Sequence, residues 1–101
     1  MKTYAIRRKR AWGSPEEAQE IGARSKEIAE AEFPSDIRWI RSYMVIEEDG
    51  TIGTICIYEA SSPEAIREHA SRVGMPADEI FDLADLVVIR PDPVGLGVAA
   101  E

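Results

Sequence analysis

Residues 37–59 read IRWIRSYMVIEEDGTIGTICIYE, and this stretch decides the fold. Its two halves, Ile37 to Ile46 and Ile52 to Glu59, are rich in β-branched and aromatic residues, which is typical of strands. Between them, Asp49-Gly50 is a dipeptide that strongly favours a tight β-turn. The stretch therefore predicts an antiparallel hairpin in the middle of the domain.

A helix is predicted on each side of this hairpin because the same start signal occurs twice. Residues 14–17 read SPEE and residues 62–64 read SPE, so a capping serine precedes a proline whose missing N–H is harmless at a helix start. The first helix is expected to end near residue 32, because Pro34 disfavours a helical residue before it. The second is expected to end at Gly74, which adopts the left-handed conformation at low cost.

Two outer strands complete the prediction. Thr3 to Lys9 alternates in the manner of a strand, and Leu83 to Arg90 is read as the last strand, with Pro76 to Glu79 as one more helical turn before it. The order is then β-α-β-β-α-β, the ferredoxin-like α+β plan of a four-stranded antiparallel sheet with both helices on one face. Residues 1–91 form one domain in this reading, and 92–101 form a C-terminal tail.

Composition limits the class of protein. The chain has 101 residues, 45% of them hydrophobic and 31% charged, with one cysteine and one histidine. It has room for one domain, and no apolar run approaches the roughly 18 residues that cross a bilayer. No secretory signal is visible at the start, and the lone Cys56 cannot form an internal disulfide. We therefore expect a cytoplasmic protein with no membrane partner.

The charge is unevenly distributed along the chain. Lys2 and the RRKR run at residues 7–10 supply five of the twelve basic residues, and the formal net charge is −7. The rest carries seven basic and nineteen acidic residues, or −12 (7 − 19). Such a surface repels phosphate backbones, so a nucleic-acid partner is not expected. The RRKR run is interpreted as a solvated strand end that partly neutralises acidic neighbours.

The pleat of the hairpin predicts an assembly. Ile55 and Ile57 are expected to meet the helices, and Cys56 and Tyr58 are assigned to the opposite, open face. An open face carrying large aromatic residues marks an interface. A homodimer that packs sheet on sheet, as in dimeric α/β barrels, is therefore expected, the alternative being a monomer with an exposed aromatic platform. The residues of the first hairpin strand, Ile37 to Ile46, that are assigned to the open face are Trp39, Arg41 and Tyr43.

His69 is the side chain best suited to proton chemistry, because its ordinary pKa lies near neutrality. The helical stripe of Ile66, Ala70 and Val73 places it on the shoulder of the buried face. Two readings stay open: a boundary histidine capped by a neighbouring carbonyl or carboxylate, or a ligand or general acid/base. A catalytic pair with Cys56 is not expected, because the two residues are assigned to opposite sides of the sheet.

Two further kinds of site are candidates. Trp39, Arg41, Tyr43 and Tyr58 form an aromatic and cationic set, with Cys56 among them, that suits a flat or anionic ligand; ordinary dimer packing is the alternative. A metal site at His69 is the other candidate. One histidine and one cysteine do not complete a nickel or zinc site on their own, and no CxxC or HxxxH spacing occurs.

Three strings of residues resemble a known family. Residues 39–43 (WIRSY), 56–70 (CIYEASSPEAIREHA) and 74–80 (GMPADEI) are similar to a family of small bacterial proteins catalogued as a domain of unknown function, which includes an actinobacterial nickel-binding protein. The resemblance spans about residues 1–91. It implies a ferredoxin-like fold with α/β-barrel dimers, and metal binding in some members. The histidines that the nickel-binding member has near its first strand are replaced here by the RRKR run, so His69 is the remaining site residue.

Two functional hypotheses of different classes follow. In the first, the chain is a homodimeric binding protein of the nickel-binding type that holds a metal ion or small ligand near His69. In the second, it is a cofactor-independent enzyme of the dimeric α/β-barrel type, a cyclase, isomerase or monooxygenase. His69 would then be the general acid/base, and Tyr43 or Tyr58 would donate a hydrogen bond to a developing oxyanion. A dimer without any ligand is a third reading.

Overall fold

Two helices cover one face of a four-stranded antiparallel sheet in the computed structural model, which describes residues 1–95. The strand order across the sheet is β2-β3-β1-β4, in agreement with the predicted ferredoxin-like β-α-β-β-α-β plan. Within the described residues, neither helix is long and apolar enough to cross a lipid bilayer. The elements in chain order are β1 (Lys2–Trp12), α1 (Pro15–Glu32), β2 (Ile37–Ile46), β3 (Ile52–Ala60), α2 (Pro63–Val73) and β4 (Glu79–Asp82).

Both helices begin where the serine-proline signals predicted. The Ser14 hydroxyl accepts a hydrogen bond from the Glu17 amide, and the Ser62 hydroxyl accepts one from the Ala65 amide, each at 3.2 Å. These bonds satisfy amides that the first helical turn leaves without a partner. α2 ends at Gly74 with φ of 89°, in the left-handed region. The starts of both helices and the end of α2 are thus determined by local sequence.

The last strand lies earlier in the chain than predicted. Residues 79–82 form β4 and the segment from 83 to 90 is not a strand, so the strand predicted at Leu83 to Arg90 and the helical turn predicted before it are both wrong. The reason is the register with β1. Ile80 pairs with Ile6 and Asp82 pairs with Tyr4, so the start of β1 is reached two residues later. Leu83 still donates its amide to the Thr3 carbonyl of β1, and the described residues after it form no strand.

The predicted faces of β3 are reversed. Tyr58 and Cys56 lie opposite Tyr4 and Ile6 of β1, and all four are buried under the helices. Ile55 lies on the open face and is 38% exposed. The reversal follows from pairing, because directly opposite residues share a face and the large apolar residues of β1 fill the helix side.

An irregularity in β2 divides the predicted aromatic set between the two faces. Trp39 pairs with Tyr58 on the helix side, but the register shifts between Trp39 and Arg41. Arg41 then pairs with Ile57 and therefore lies on the open face. Tyr43 pairs with Ile55 and lies there too. One extra residue in a strand reverses the face of everything after it, so the five predicted ligand and oxyanion residues do not form one surface.

Candidate functional site

A layer of polar side chains crosses the interior of the protein. Its members are Arg8, Ser25, Thr54 and His69, which are 1%, 2%, 6% and 0% exposed, and they are called the polar layer below. Two separate apolar clusters lie on either side of it. The larger is built around Tyr4, Ile6, Cys56, Tyr58, Ile66 and Ala29, and the smaller consists of Trp12, Ala18 and Ile52 with Ala11, Ile21 and Met75 against them.

Each of the four polar residues lies in the sequence between a residue of one cluster and a residue of the other. On β1, Arg8 lies between Ile6 of the larger cluster and Trp12 of the smaller one. On β3, Thr54 lies between Ile52 and Cys56 in the same way, and it pairs directly with Arg8 across the sheet. The same holds for Ser25 on α1, between Ala18 and Ala29, and for His69 on α2, between Ile66 and Met75.

The Arg8 guanidinium is buried with most of its hydrogen-bonding capacity unused. Nη1 donates to Cys56 Sγ at 3.1 Å, and the guanidinium carbon lies 5.9 Å from the centre of the Tyr58 ring. Within residues 1–95, Nε and Nη2 have no hydrogen-bond partner. Among the described residues, a guanidinium group is thus buried with a thiol as its one hydrogen-bond acceptor and an aromatic ring nearby.

His69 is anchored through one ring nitrogen and free at the other. Nε2 lies 3.0 Å from the Ser25 carbonyl oxygen, so this nitrogen donates to α1, and the Ser25 hydroxyl is 3.5 Å away. The ring packs against Phe33 and Tyr58, with centroid distances of 5.6 and 6.0 Å. Nδ1 is buried and has no partner among the described residues. In the neutral tautomer that donates through Nε2, Nδ1 is an unused acceptor.

Burial sets the proton state of both rings in the site. It lowers the pKa of His69, and the nearby Arg8 charge lowers this pKa further, whereas the Ser25 carbonyl acts in the opposite direction. Burial likewise raises the pKa of Tyr58, against the lowering effect of the Arg8 charge. Both side chains are therefore neutral at pH 7, and Arg8 is the charged member of the layer.

The structure brings some of the predicted site residues together and separates others. His69, Tyr58 and Cys56 meet at the polar layer, and Trp39 packs on Tyr58 with ring centroids 6.1 Å apart. His69 is buried rather than on the shoulder of α2. Cys56 lies on the same side of the sheet as His69, contrary to the prediction, but its thiol is bonded to Arg8 and Thr54.

Arg41 and Tyr43 lie outside this site, on the opposite face of the sheet. The Arg41 guanidinium and the Tyr43 hydroxyl both donate to Asp92 Oδ2, at 3.2 and 2.9 Å. Asp92 belongs to the segment that follows β4. The predicted ligand and oxyanion roles of these two residues therefore do not apply to the site around His69.

Arg8 is the residue that the sequence prediction missed. Three members of the RRKR run are paired with acids, as predicted: Arg7 with Glu47, Lys9 with Glu79 and Arg10 with Asp49. Arg8 alone turns inward. The signal was present, because Tyr4, Ile6 and Arg8 are spaced by two residues and so share one face of a strand.

The donor set of the polar layer does not fit a nickel ion. A nickel site needs several nitrogen, sulfur or carboxylate ligands, and residues 1–95 contain no group of three or more His, Cys, Asp and Glu side chains placed to hold a metal. His69 Nδ1 is the one free ring nitrogen in the layer, and the thiol of Cys56 already accepts from Arg8. A divalent cation would also be repelled by the buried guanidinium.

A ferredoxin-like α+β protein with a buried polar layer is the class that the fold and site define. The family model described as "Nickel responsive protein SCO4226-like" matches residues 4–82, and the chain belongs to this family. The crystal structure of SCO4226 from Streptomyces coelicolor A3(2) is similar in fold, with a TM-score of 0.67 and 15% sequence identity over 84% of this chain and 99% of that one. No curated protein matches the chain.

Proposed function

We propose that the chain is a small cytoplasmic, homodimeric binding protein that holds a small ligand in the polar layer, next to His69. One observation carries the proposal: Arg8 Nε, Arg8 Nη2 and His69 Nδ1 are buried without a hydrogen-bond partner in the described chain. Each such atom costs about 1–3 kcal/mol, more if it is charged. A ligand that accepts from Arg8 would remove the larger, charged part of this cost.

The alternative reading of the layer as inert core is less favourable. Apolar side chains of similar volume at these positions would stabilise the fold, because a buried ion without a partner is strongly destabilising. Polar groups that weaken a fold are typical of functional sites. The layer therefore supports a binding role for the interior between the helices and the sheet.

The family name suggests nickel as the ligand, but the chemistry of this layer supports a different one. The described residues offer one free imidazole nitrogen beside a permanent positive charge, and this combination disfavours a divalent cation. The proposal is accordingly a small organic or inorganic molecule with acceptor atoms. Nickel added to the protein is expected to leave the environment of His69 unchanged.

The open face of the sheet supports the homodimer. Ile55 and Phe81 lie on this face and are 38% and 49% exposed. After β4, the apolar residues at 86–89 (LVVI) are also exposed and pair with no strand among residues 1–95. Exposed apolar residues in such numbers favour an interface, and a second copy would cover both features.

Native mass spectrometry of the untagged full-length protein tests the ligand. We expect a non-covalent adduct on the native protein that is absent after denaturation. His69→Phe, which fills the layer with an apolar ring, is expected to lose the adduct, whereas the exposed neighbour variant Glu68→Gln keeps it. Bare protein in every native spectrum would contradict the proposal.

Light scattering during gel filtration tests the assembly. The expected mass is twice the 11.2 kDa of one chain. A mass equal to one chain at micromolar concentration would overturn the homodimer and leave the ligand proposal to be judged separately.

A further inference from the structure

We infer that the free edge of Arg8 binds a carboxylate group, so that the ligand of the polar layer is a small carboxylic acid in its ionised form. This inference rests on the proposed function, since it names the class of the ligand held in the same layer. It depends on which atoms of Arg8 are free, on the lack of a counter-charge beside them and on their enclosure.

The two unpartnered nitrogen atoms of Arg8 form one side of the guanidinium. Nε–H and one N–H of Nη2 point in parallel along this side, and both nitrogens are buried and free within residues 1–95. The other side of the group is engaged, because Nη1 donates to Cys56 Sγ at 3.1 Å. Two parallel N–H donors match the two oxygens of a carboxylate, which accepts both in a bidentate pair.

The described part of the chain supplies no counter-charge for Arg8. Two acids close to this strand are already engaged by its other basic residues. Arg7 Nη2 holds Glu47 through both oxygens at 2.9 and 3.0 Å, and Lys9 pairs with Glu79 at 2.8 Å. No salt bridge joins Arg8 to any acidic residue in 1–95. A buried charge of one sign is compensated when a ligand brings the opposite sign.

Enclosure limits the size of the ligand. All four residues of the polar layer are at most 6% exposed. A cleft of about 250 Å³ between α1 and α2 is lined by Ile28, Glu32 and Arg72 among others, and neither Arg8 nor His69 lines it. Because the three unpartnered atoms are themselves buried, a ligand reaches them only if the surrounding side chains shift. A carboxylate with few other atoms requires the smallest shift, and acetate is the simplest choice that has a neutral analogue of the same shape, acetamide.

His69 makes the experiment specific, because it is the single histidine of the chain. The imidazole signals of the untagged full-length protein in a ¹H–¹⁵N or ¹H–¹³C spectrum therefore report on one known position in the polar layer. Sodium acetate is titrated against this spectrum, with sodium chloride at matched ionic strength, acetamide and nickel chloride as the other probes. We expect a saturable shift with acetate, and an affinity for acetamide at least about tenfold lower, since hydrogen bonds to charged groups are the stronger ones.

Two variants identify Arg8 as the anchor. Arg8→Met has similar length and no charge, and it is expected to fold and to lose the acetate response. Arg8→Lys keeps the charge without the paired donors and is expected to weaken the response at least about tenfold. Arg67→Met removes an exposed arginine of α2 as the matched control and should respond like the natural chain. The acetate and acetamide comparison uses the unaltered protein, so it decides the question even if Arg8→Met does not fold.

The outcomes separate this inference from the proposed function. A saturable shift with acetate that disappears in Arg8→Met supports both. A saturable shift with acetamide or nickel instead of acetate overturns the carboxylate and leaves a ligand in the layer. A native adduct in mass spectrometry whose ligand is neutral or cationic likewise overturns the carboxylate and leaves a ligand in the layer. No saturable shift with any probe, together with no native adduct, means that water alone fills the layer and overturns both.

Discussion

Lowering the pH should destabilise the protein through His69. This ring is fully buried and its pKa in the folded protein is lowered, chiefly by burial and also by the Arg8 charge. In the unfolded chain its pKa returns to the ordinary value of about 6.5. Below that value the unfolded state binds a proton that the folded state does not bind, so protonation favours unfolding.

The size of the effect follows from this difference in bound protons. Between pH 6.5 and the lower pKa of the folded state, each pH unit costs up to about 1.4 kcal/mol of the free energy of unfolding. Above pH 6.5 the contribution of His69 is constant, and below the folded pKa it stops growing. Acidic groups such as Glu47, whose pKa is lowered by the Arg10 amide and the Arg7 guanidinium, add their own loss at lower pH.

Urea unfolding at half-unit steps from pH 8 to pH 4.5 measures the effect, with His69→Gln as the reference. The variant keeps the acidic groups and removes the imidazole, so the difference between the two proteins isolates His69. We expect the variant to lose less stability than the natural chain as the pH falls below 6.5. Parallel curves over the whole range would refute the argument, as would a folded-state pKa at or above 6.5 in the His69 spectrum.

Three other substitutions test the architecture. Gly53→Ala should lower the free energy of unfolding by about 1–3 kcal/mol in urea denaturation, because a Cβ there would lie 2.5 Å from the Arg8 carbonyl oxygen and against the Glu47 carboxylate; unchanged stability would contradict this packing. Ser62→Ala should cost about 1 kcal/mol in the same assay through loss of the α2 cap, and a neutral result would show that the cap is not needed. Ile55→Glu, on the open face, should convert the proposed dimer to single chains in light scattering without unfolding them, and a dimer that persists would place the interface elsewhere.

Most of the fold was predictable because its signals are local. The serine-proline starts, the glycine stop at Gly74 and the Asp49-Gly50 turn of the hairpin each act over a few residues, and all of them are observed. The position of β4 was not predictable in this way. It depends on how far β1 extends beside it, and pairing between residues as distant as Ile6 and Ile80 is not a local property.

The site was only partly predictable. His69 was identified because it is chemically distinctive. The apolar stripe of α2 predicted a partly buried position for it, whereas the structure shows it fully buried. The faces of β3 were predicted from its aliphatic residues alone and came out reversed. The face of β3 that the helices cover is the one that pairs with Tyr4 and Ile6 of β1, and it carries Tyr58 and Cys56. Arg8 was missed because a charged side chain is usually exposed. Its spacing from Tyr4 and Ile6, however, places it on the buried face of β1. Conflict between charge and pattern is itself a mark of a functional position.

A high-resolution crystal structure of the untagged protein, grown in acetate, tests the central claim most directly. We expect planar electron density with two oxygen atoms about 2.7–2.9 Å from Arg8 Nε and Nη2, the usual length of such charged hydrogen bonds. Apolar side chains packed directly on this side of the guanidinium, a protein carboxylate there or ordered water alone would contradict it.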